Sequence, residues 1–277
     1  MIRRPRSALA LMALAGVVIA SGCGGSSGTP TPPPISDPHE IITQAVANAA
    51  AVKSLHIKIE LSGSVNTGAL PGLSGSSLVG NVDLSGTTLE GDVDVTKQAV
   101  DLKLAVPNLF GLSGEVIVID GYAYTKISIL PGGDKFTKSK LSDKIPVSIP
   151  SPGAIASGVI TDQIDAFRKT LTDAGAVATL KPDDKVGGKD AYHVSISLPL
   201  AKINSMLVAK GGSVASGITL DSASVELWTY KENLLPAKIE VKASAGATGN
   251  LDVVVTLTNY DQTVTIKAPA DGDVQAS

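Results

Sequence analysis

The sequence predicts an α+β fold, one curved antiparallel sheet with its helices packed on a single face. Three observations lead there. Stretches of period-two alternation outnumber those with helical spacing, the order runs helix, strands, helices, strands, and the tight dipeptide Asp120-Gly121 joins two strands directly. A parallel sheet would instead need a crossover helix between successive strands.

The chain starts with Arg3, Arg4 and Arg6, then an apolar run from Ala8 to Ala20 that is short for a membrane span, then Ser21-Gly22-Cys23. This is the pattern of a secretory signal, residues 1–22, ending at the only cysteine. A thiol in that position resembles the bacterial lipobox, in which the sulfur takes a diacylglyceryl group and the cysteine becomes the mature N-terminus. Ala20 stands where that motif usually has Leu. Cys23 is therefore the expected lipid-attachment residue, and each buried methylene of its acyl chains would contribute about 0.8 kcal/mol to membrane retention. Removing residues 1–22 takes three arginines and no acid, so the formal charge moves from −3 to −6.

Residues 23–36 read as a Gly/Ser then Pro-rich tether. Gly24-x-Ser26-x-Gly28 within it formally matches a nucleophile elbow, but no strand precedes it and no helix follows. One domain, residues 37–277, comes next. Asp37 suits an N-cap, Pro38 the first helical position and Glu40 the capping-box acid, and Ile41, Ile42, Ala45, Val46, Ala49 and Ala50 give the helix one apolar face.

From Leu55 the period becomes two, with Leu55, Ile57, Ile59 and Leu61 alternating with His56, Lys58 and Glu60. Strands are expected again at 89–95, 100–106, 116–124, 192–198, 223–230, 237–243, 251–257 and 264–268. Two more helices interrupt them. Ile160, Ile164, Phe167 and Leu171 keep helical spacing before Gly175, and Leu200, Ile203, Met206 and Leu207 do so before Gly211-Gly212. Two connections, 68–79 and 145–160, are apolar for loops and read either as packed on the core or as a lid around an apolar opening.

Composition excludes several classes of function. Hydrophobic residues make up 43% of the chain but aromatic residues only 3%, so the interior is aliphatic and lacks the stacking platforms of glycan or single-strand nucleic-acid binders. No basic stripe is present to neutralise phosphates, so nucleic acid is not an expected partner. With one cysteine the fold carries no internal disulfide. No metal-ligand pattern or P-loop occurs, Gly187-Gly188-Lys189 lacking the flanking residues the latter needs, and no cofactor is expected.

The three histidines have ordinary explanations: His39 lies in a helix's first turn, while His56 and His193 lie on strand faces opposite Ile57 and Val194. Asp92 with Asp94 fits a solvated sheet face, Asp183-Asp184 a turn after Pro182, and Asp271-Gly272-Asp273 a terminal tail. Trp228 is expected to seal a helix against the outer face of the sheet.

Taken in order, several segments resemble the LppX/LprA/LprF/LprG family of actinobacterial cell-envelope lipoproteins. They are Cys23 with its tether, the first helix running into Val52-Lys53-Ser54-Leu55-His56, Leu70-Pro71-Gly72, Asp120-Gly121-Tyr122-Ala123-Tyr124, Ile149-Pro150-Ser151-Pro152-Gly153, Gly187-Gly188-Lys189-Asp190-Ala191-Tyr192, and the hairpin from Trp228 to Ile239. Phe136 departs from the Trp of some members.

The resemblance implies a strongly curved, half-open antiparallel β-barrel with helices packed on its concave face, similar to LolA/LolB-like carriers. It also implies an apolar cavity for multiply acylated lipids or glycolipids, a role in carrying them within the envelope, and no catalytic residues. The implied protein is a monomer anchored to the cell membrane on its extracytoplasmic or periplasmic side, with envelope export machinery as a further partner. The cavity walls carry over only as inward strand positions, which the alternation marks as well: Leu55, Ile57, Ile59, Leu61, Val93, Val95, Leu102, Leu104, Val116, Val118, Val194, Ile196, Val225 and Leu227. Alternation cannot separate a cavity wall from a filled core. A non-enzymatic envelope scaffold or surface-interaction lipoprotein is thus the alternative, and an envelope hydrolase, for which no nucleophile and base can be named, comes third.

Overall fold

Twelve strands form one sheet in the order β7-β6-β5-β4-β3-β1-β12-β11-β10-β9-β8, with β2 paired to β1 outside this path. A computed structural model describes residues 35–66, 80–129, 133–141, 175–210 and 219–275, side chains at 206–210 excepted. These belong to one compact unit, Pro34–Ser277. The strands are β1 (Ser54–Asn66), β2 (Asn81–Asp83), β3 (Thr87–Asp94), β4 (Ala99–Val106), β5 (Leu112–Ile119), β6 (Tyr122–Ile127), β7 (Thr137–Lys140), β8 (Val177–Val186), β9 (Lys189–Ser197), β10 (Ser222–Tyr230), β11 (Pro236–Ser244) and β12 (Gly249–Thr258). Among the described residues the α-helices are α1 (Pro38–Ala49) and α2 (Leu200–Lys210).

Every strand pair in the ladder is antiparallel, and the sheet stays open, with β7 and β8 at its edges. Right-handed twist makes so wide an open sheet curl. Glycines let neighbouring strands approach where it bends: a Cβ on Gly91 in β3 would lie 1.8 Å from the Asp101 carbonyl oxygen in β4, and one on Gly63 in β1 would lie 2.3 Å from that of Asn250 in β12.

The sequence accounts for each element. In α1 the Asp37 carboxylate accepts from the His39 backbone N–H at 2.8 Å, capping the helix. Glu40 does not close a capping box; its Oε1 accepts from Gln44 Nε2 at 2.7 Å. Ile41, Ile42 and Ala45 form the buried stripe of α1. Asp120 and Gly121 both take positive φ between β5 and β6, the conformation a two-residue hairpin of the right twist needs.

Several expectations are corrected. Residues 264–268 alternate like a strand but join no ladder. Ile266 packs instead on the Ile117–Tyr124–Phe136 cluster, so the alternation there records one buried side without a strand partner. The Asp271–Asp273 segment is no loose tail. It forms a 3-10 turn whose Asp273 carbonyl accepts from Phe136 N–H at 2.7 Å, and Phe136 and Val274 form a parallel bridge.

Asp183-Asp184 lies in edge strand β8, at the irregularity between Lys181 and Asp184 that Pro182 requires. Asp94 is buried rather than solvated. Its carboxylate accepts from Thr96 Oγ1 at 2.7 Å and Lys97 N at 3.0 Å and pairs with Lys97 Nζ at 2.8 Å, closing the turn between β3 and β4. The expected helix before Gly175 and the segments 68–79 and 145–160 lie outside the described residues, as do Cys23 and most of the tether.

Candidate functional site

Antiparallel register assigns every strand residue to one of two faces, because directly opposed residues share a side. One row can be followed through the ladder: Leu180, Val194, Leu227, Ile239, Val255, Ile59, Leu89, Leu104, Gly114 and Ile127. It crosses from β8 to β6 without a polar residue. Neighbouring rows on the same side add Ala178, Ile196, Val225, Val241, Val253 and Leu61, then Leu257, Ile57, Leu102 and Val116, then Leu55, Val93, Val100 and Val118. Polar side chains enter this face only towards its rims, as at Thr87, Thr125 and Thr137.

The predicted inward residues therefore share one face, with one exception. Val95 lies beyond β3, in the turn after Asp94, where its N–H donates to the Lys53 carbonyl at 2.8 Å. The face is not uniform in depth. On β9 and β10, Val194, Ile196 and Leu227 are buried beneath Ile41 and Ile42 of α1, with Tyr192 completing the cluster. On β12, β1, β3 and β4 the aliphatic residues of the same face are half-buried apart from Val106, which is buried at the end of β4, and Val116 on β5 is 37% exposed. Ile117, on the other side of β5, is the buried residue there, because Ile266 and Phe136 cover that side.

Alternation missed other members of this face, including Leu180, Leu89, Ile239, Val241, Leu251, Val253 and Val255. In β12 the run Val253-Val254-Val255 is apolar on both sides, which removes the signal that would assign a face. In β8 the polar run Lys181-Pro182-Asp183-Asp184-Lys185 hides the strand itself.

The opposite face is charged. Its corresponding row reads His193, Trp228, Lys238, Thr256, Lys58, Glu90, Lys103, Glu115 and Lys126. Glu115–Lys126 at 3.1 Å and Lys58–Glu60 at 2.9 Å are among its ion pairs. Such surface pairs chiefly keep this face in water.

His56 lies between Asp92 at 2.8 Å and Glu90 at 3.3 Å, and His193 meets Glu226 at 2.9 Å. Burial raises the Asp101 pKa above the ordinary carboxylate value, with the charges of Glu115 and Asp92 adding to it; Asp101 Oδ1 is buried without a hydrogen-bond partner. Trp228 seals no described helix. Its ring is covered by His193 and Lys238, and its Nε1 donates to Asp184 Oδ2 at 3.1 Å. Among the described residues no group of three or more His, Cys, Asp or Glu is arranged to hold a metal.

Fold and faces together define a one-sided open antiparallel sheet, half roofed by a helix. No family model matches the chain, and no curated protein matches it. Solved structures do. The lipoprotein LppX of Mycobacterium tuberculosis is 12% identical over 83% of this chain and 98% of its own, with a TM-score of 0.47. LprF of Mycobacterium bovis is 21% identical over 86% of this chain and 99% of its own, with a TM-score of 0.48. A LolA-superfamily protein of Nitrosomonas europaea is 8% identical over 84% of this chain and 96% of its own, with a TM-score of 0.25. LppX and LprF are named in the family that the sequence resembles.

Proposed function

We propose that this chain is a membrane-tethered, non-enzymatic carrier that takes an acylated lipid or glycolipid onto the apolar face of its sheet and moves it within the cell envelope. The observation that carries the reading is the unbroken apolar row from Leu180 to Ile127, buried under α1 at one end and half-buried along β12, β1, β3 and β4. An acyl chain laid on such aliphatic walls gains about 25 cal/mol per Å² of apolar area withdrawn from water. The face offers no polar partner along that row, so it suits chains rather than a sugar or peptide backbone. Cys23 and residues 24–36 supply the tether, and the sequence resemblance described above points the same way.

The test is native mass spectrometry of the chain from residue 23 onward, carrying Cys23→Ala and expressed in its own host. Co-purifying acylated lipid is the expected result, and its repeated absence would overturn the carrier reading. The packed cluster of Ile41, Ile42, Val194 and Leu227 favours the second reading, a filled-core scaffold. That reading requires the β12–β4 part of the face to be as intolerant of bulk as the part under α1.

A further inference from the structure

The two ends of the sheet differ in chemistry. Register places the turns after β3, β5, β8, β10 and β12 at one end, which reads Val95-Thr96-Lys97-Gln98, Asp120-Gly121, Gly187-Gly188, Lys231-Glu232-Asn233 and Asn259-Tyr260-Asp261. Four of these five turns carry a charged residue. At the other end lie Leu84-Ser85-Gly86, Pro107-Asn108-Leu109-Phe110-Gly111, Ser128-Ile129 and Ala245-Gly246-Ala247-Thr248, which contain no charged residue. Among the described residues Asp83, Asp134, Lys135, Lys202 and Asp221 are flanking charges there, and Asp83 is engaged by Ser85 N–H and Asn108 Nδ2.

The large hydrophobic side chains that stand most exposed follow the same polarity. Phe110 is 85% exposed, Val177 60% and Ile129 52%, and all three belong to the end with the uncharged turns: Phe110 between β4 and β5, Ile129 just after β6, Val177 at the first residue of β8, on the far edge of the sheet. Phe110 is held outward. Its φ of 55° lies in the left-handed region that bulky residues seldom enter. The turn around it is closed by Leu109 N–H to the Val106 carbonyl at 3.1 Å, Gly111 N–H to Pro107 at 3.2 Å and Leu112 N–H to Leu109 at 2.9 Å. Asn108 Nδ2 ties the turn to Asp83 Oδ2 at 3.1 Å and the Ser85 carbonyl at 3.0 Å. Ser128 N–H donates to the Ser113 carbonyl at 2.8 Å, which brings Ile129 beside the start of β5.

We infer that this end of the sheet docks into the interfacial layer of a lipid membrane, with Phe110 as the leading anchor and Ile129 beside it. The occupant is a bilayer rather than a protein because of where the chain is held. Even fully extended, the residues between Cys23 and Ile35 span only roughly 40 Å, so a protein acylated at Cys23 never leaves the reach of a membrane. An end whose turns are uncharged and apolar, opposite one whose turns are mostly charged, is the polarity such a surface selects. The inference deepens the carrier reading, on which its purpose rests. The docked end is where Leu112, Leu104 and Gly114 of the apolar face begin, so a lipid tail passes from bilayer to sheet without crossing the charged end.

The experiment uses the chain from residue 23 onward with Cys23→Ala, so that no acyl group contributes, and vesicles of equal parts phosphatidylcholine and phosphatidylglycerol in a flotation assay. Phe110→Gly suits the backbone at that position and preserves the turn. It should weaken vesicle binding by about tenfold or more, with Ile129→Ser adding to the loss. Gln98→Asn, at the charged end, should change nothing, and thermal melting should show all three variants folded. Equal binding by wild type and Phe110→Gly, or no binding by wild type, overturns the inference. So does a dimer in sedimentation that Phe110→Gly dissolves while vesicles go unbound, which would assign this end to a second copy of the chain. Lipid content measured on the same samples separates the two proposals. Phe110-dependent docking without co-purified lipid defeats the carrier and leaves the docking end standing, whereas lipid without docking does the reverse.

Discussion

His193 lies flat on Trp228, the ring centroids 4.3 Å apart and the planes 10° from parallel. The two residues oppose each other on β9 and β10, and Lys238 on β11 covers the ring from the other side with its Nζ 4.0 Å from the centroid. A buried indole on the charged face is thus kept from water by an imidazole, an ammonium stem and the Asp184 carboxylate that accepts its N–H. His193→Ala is expected to red-shift the emission of this single tryptophan and to lower stability by about 1 kcal/mol. Lipid retention should be unchanged, since Trp228 lies on the face opposite the apolar row. An unshifted emission spectrum would show that the stack does not shield the ring.

The apolar face should respond to added bulk in two ways. Val194 is fully buried under α1, so Val194→Trp overpacks a filled site and should cost about 1–3 kcal/mol. Ile59 and Leu104 lie on the same row but are half-buried. Ile59→Trp or Leu104→Trp should leave the melting temperature within a few degrees of wild type while displacing lipid. Equal destabilisation at all three positions, measured by denaturant unfolding, would favour the filled-core scaffold.

Asp94 makes stability depend on acid. Burial alone would raise its pKa, but hydrogen bonds from Lys97 and Thr96 and the Lys97 charge outweigh it and hold the carboxyl down to about 2. A carboxylate depressed below its unfolded value stabilises the fold at pH values above the unfolded pKa, and that contribution is lost as pH falls through the folded pKa. Asp94→Asn should therefore be less stable than wild type at neutral pH, by about 1–3 kcal/mol. The difference should shrink between pH 4 and pH 2 in parallel acid titrations of unfolding; a difference that persists undiminished at pH 2 would exclude the carboxylate as its source.

Asp101 carries the opposite sign. Its pKa is raised by burial first, then by Glu115 and Asp92, so ionising it at neutral pH opposes folding. Asp101→Asn should raise the melting temperature at pH 7 by a few degrees, and the gain should fade as pH drops to where the wild-type carboxyl is protonated. Loss of stability at pH 7 would mean that the charge has a partner stronger than its repulsions.

Gly91 tests the curl of the sheet. Any side chain there meets the Asp101 carbonyl oxygen 1.8 Å from its Cβ, and backbone cannot yield as a flexible side chain does. Gly91→Ala should separate β3 from β4 and cost about 2 kcal/mol or more. A variant that melts like wild type would show that the strands can part there without loss.

Much of this was readable in the residues. Asp37-Pro38 at the start of α1, Asp120-Gly121 between β5 and β6, and the alternation of Leu55 to Leu61 each carry their own local reason and fold accordingly. Local reasons fail where a segment answers to something distant. Ile266 alternates as a strand would because it covers Phe136, and β8 pairs on both sides of Pro182 and Asp183 although those residues speak for a turn. The shared face of Val194 and Ile59 follows from alternation. Their different depths do not, because depth depends on which strands α1 reaches.

Among the described residues the sheet ends at two margins, β7 and β8, which a closed barrel would not have. Closure fixes a barrel's bore through strand number and stagger. Among the described residues no strand bridges the two margins, so on the proposed carrier reading the girth of a guest would not be what the sheet measures. Selection would fall instead on length, how far a guest runs along the strands before it meets the charged turns at Lys97, Asp120 and Lys231.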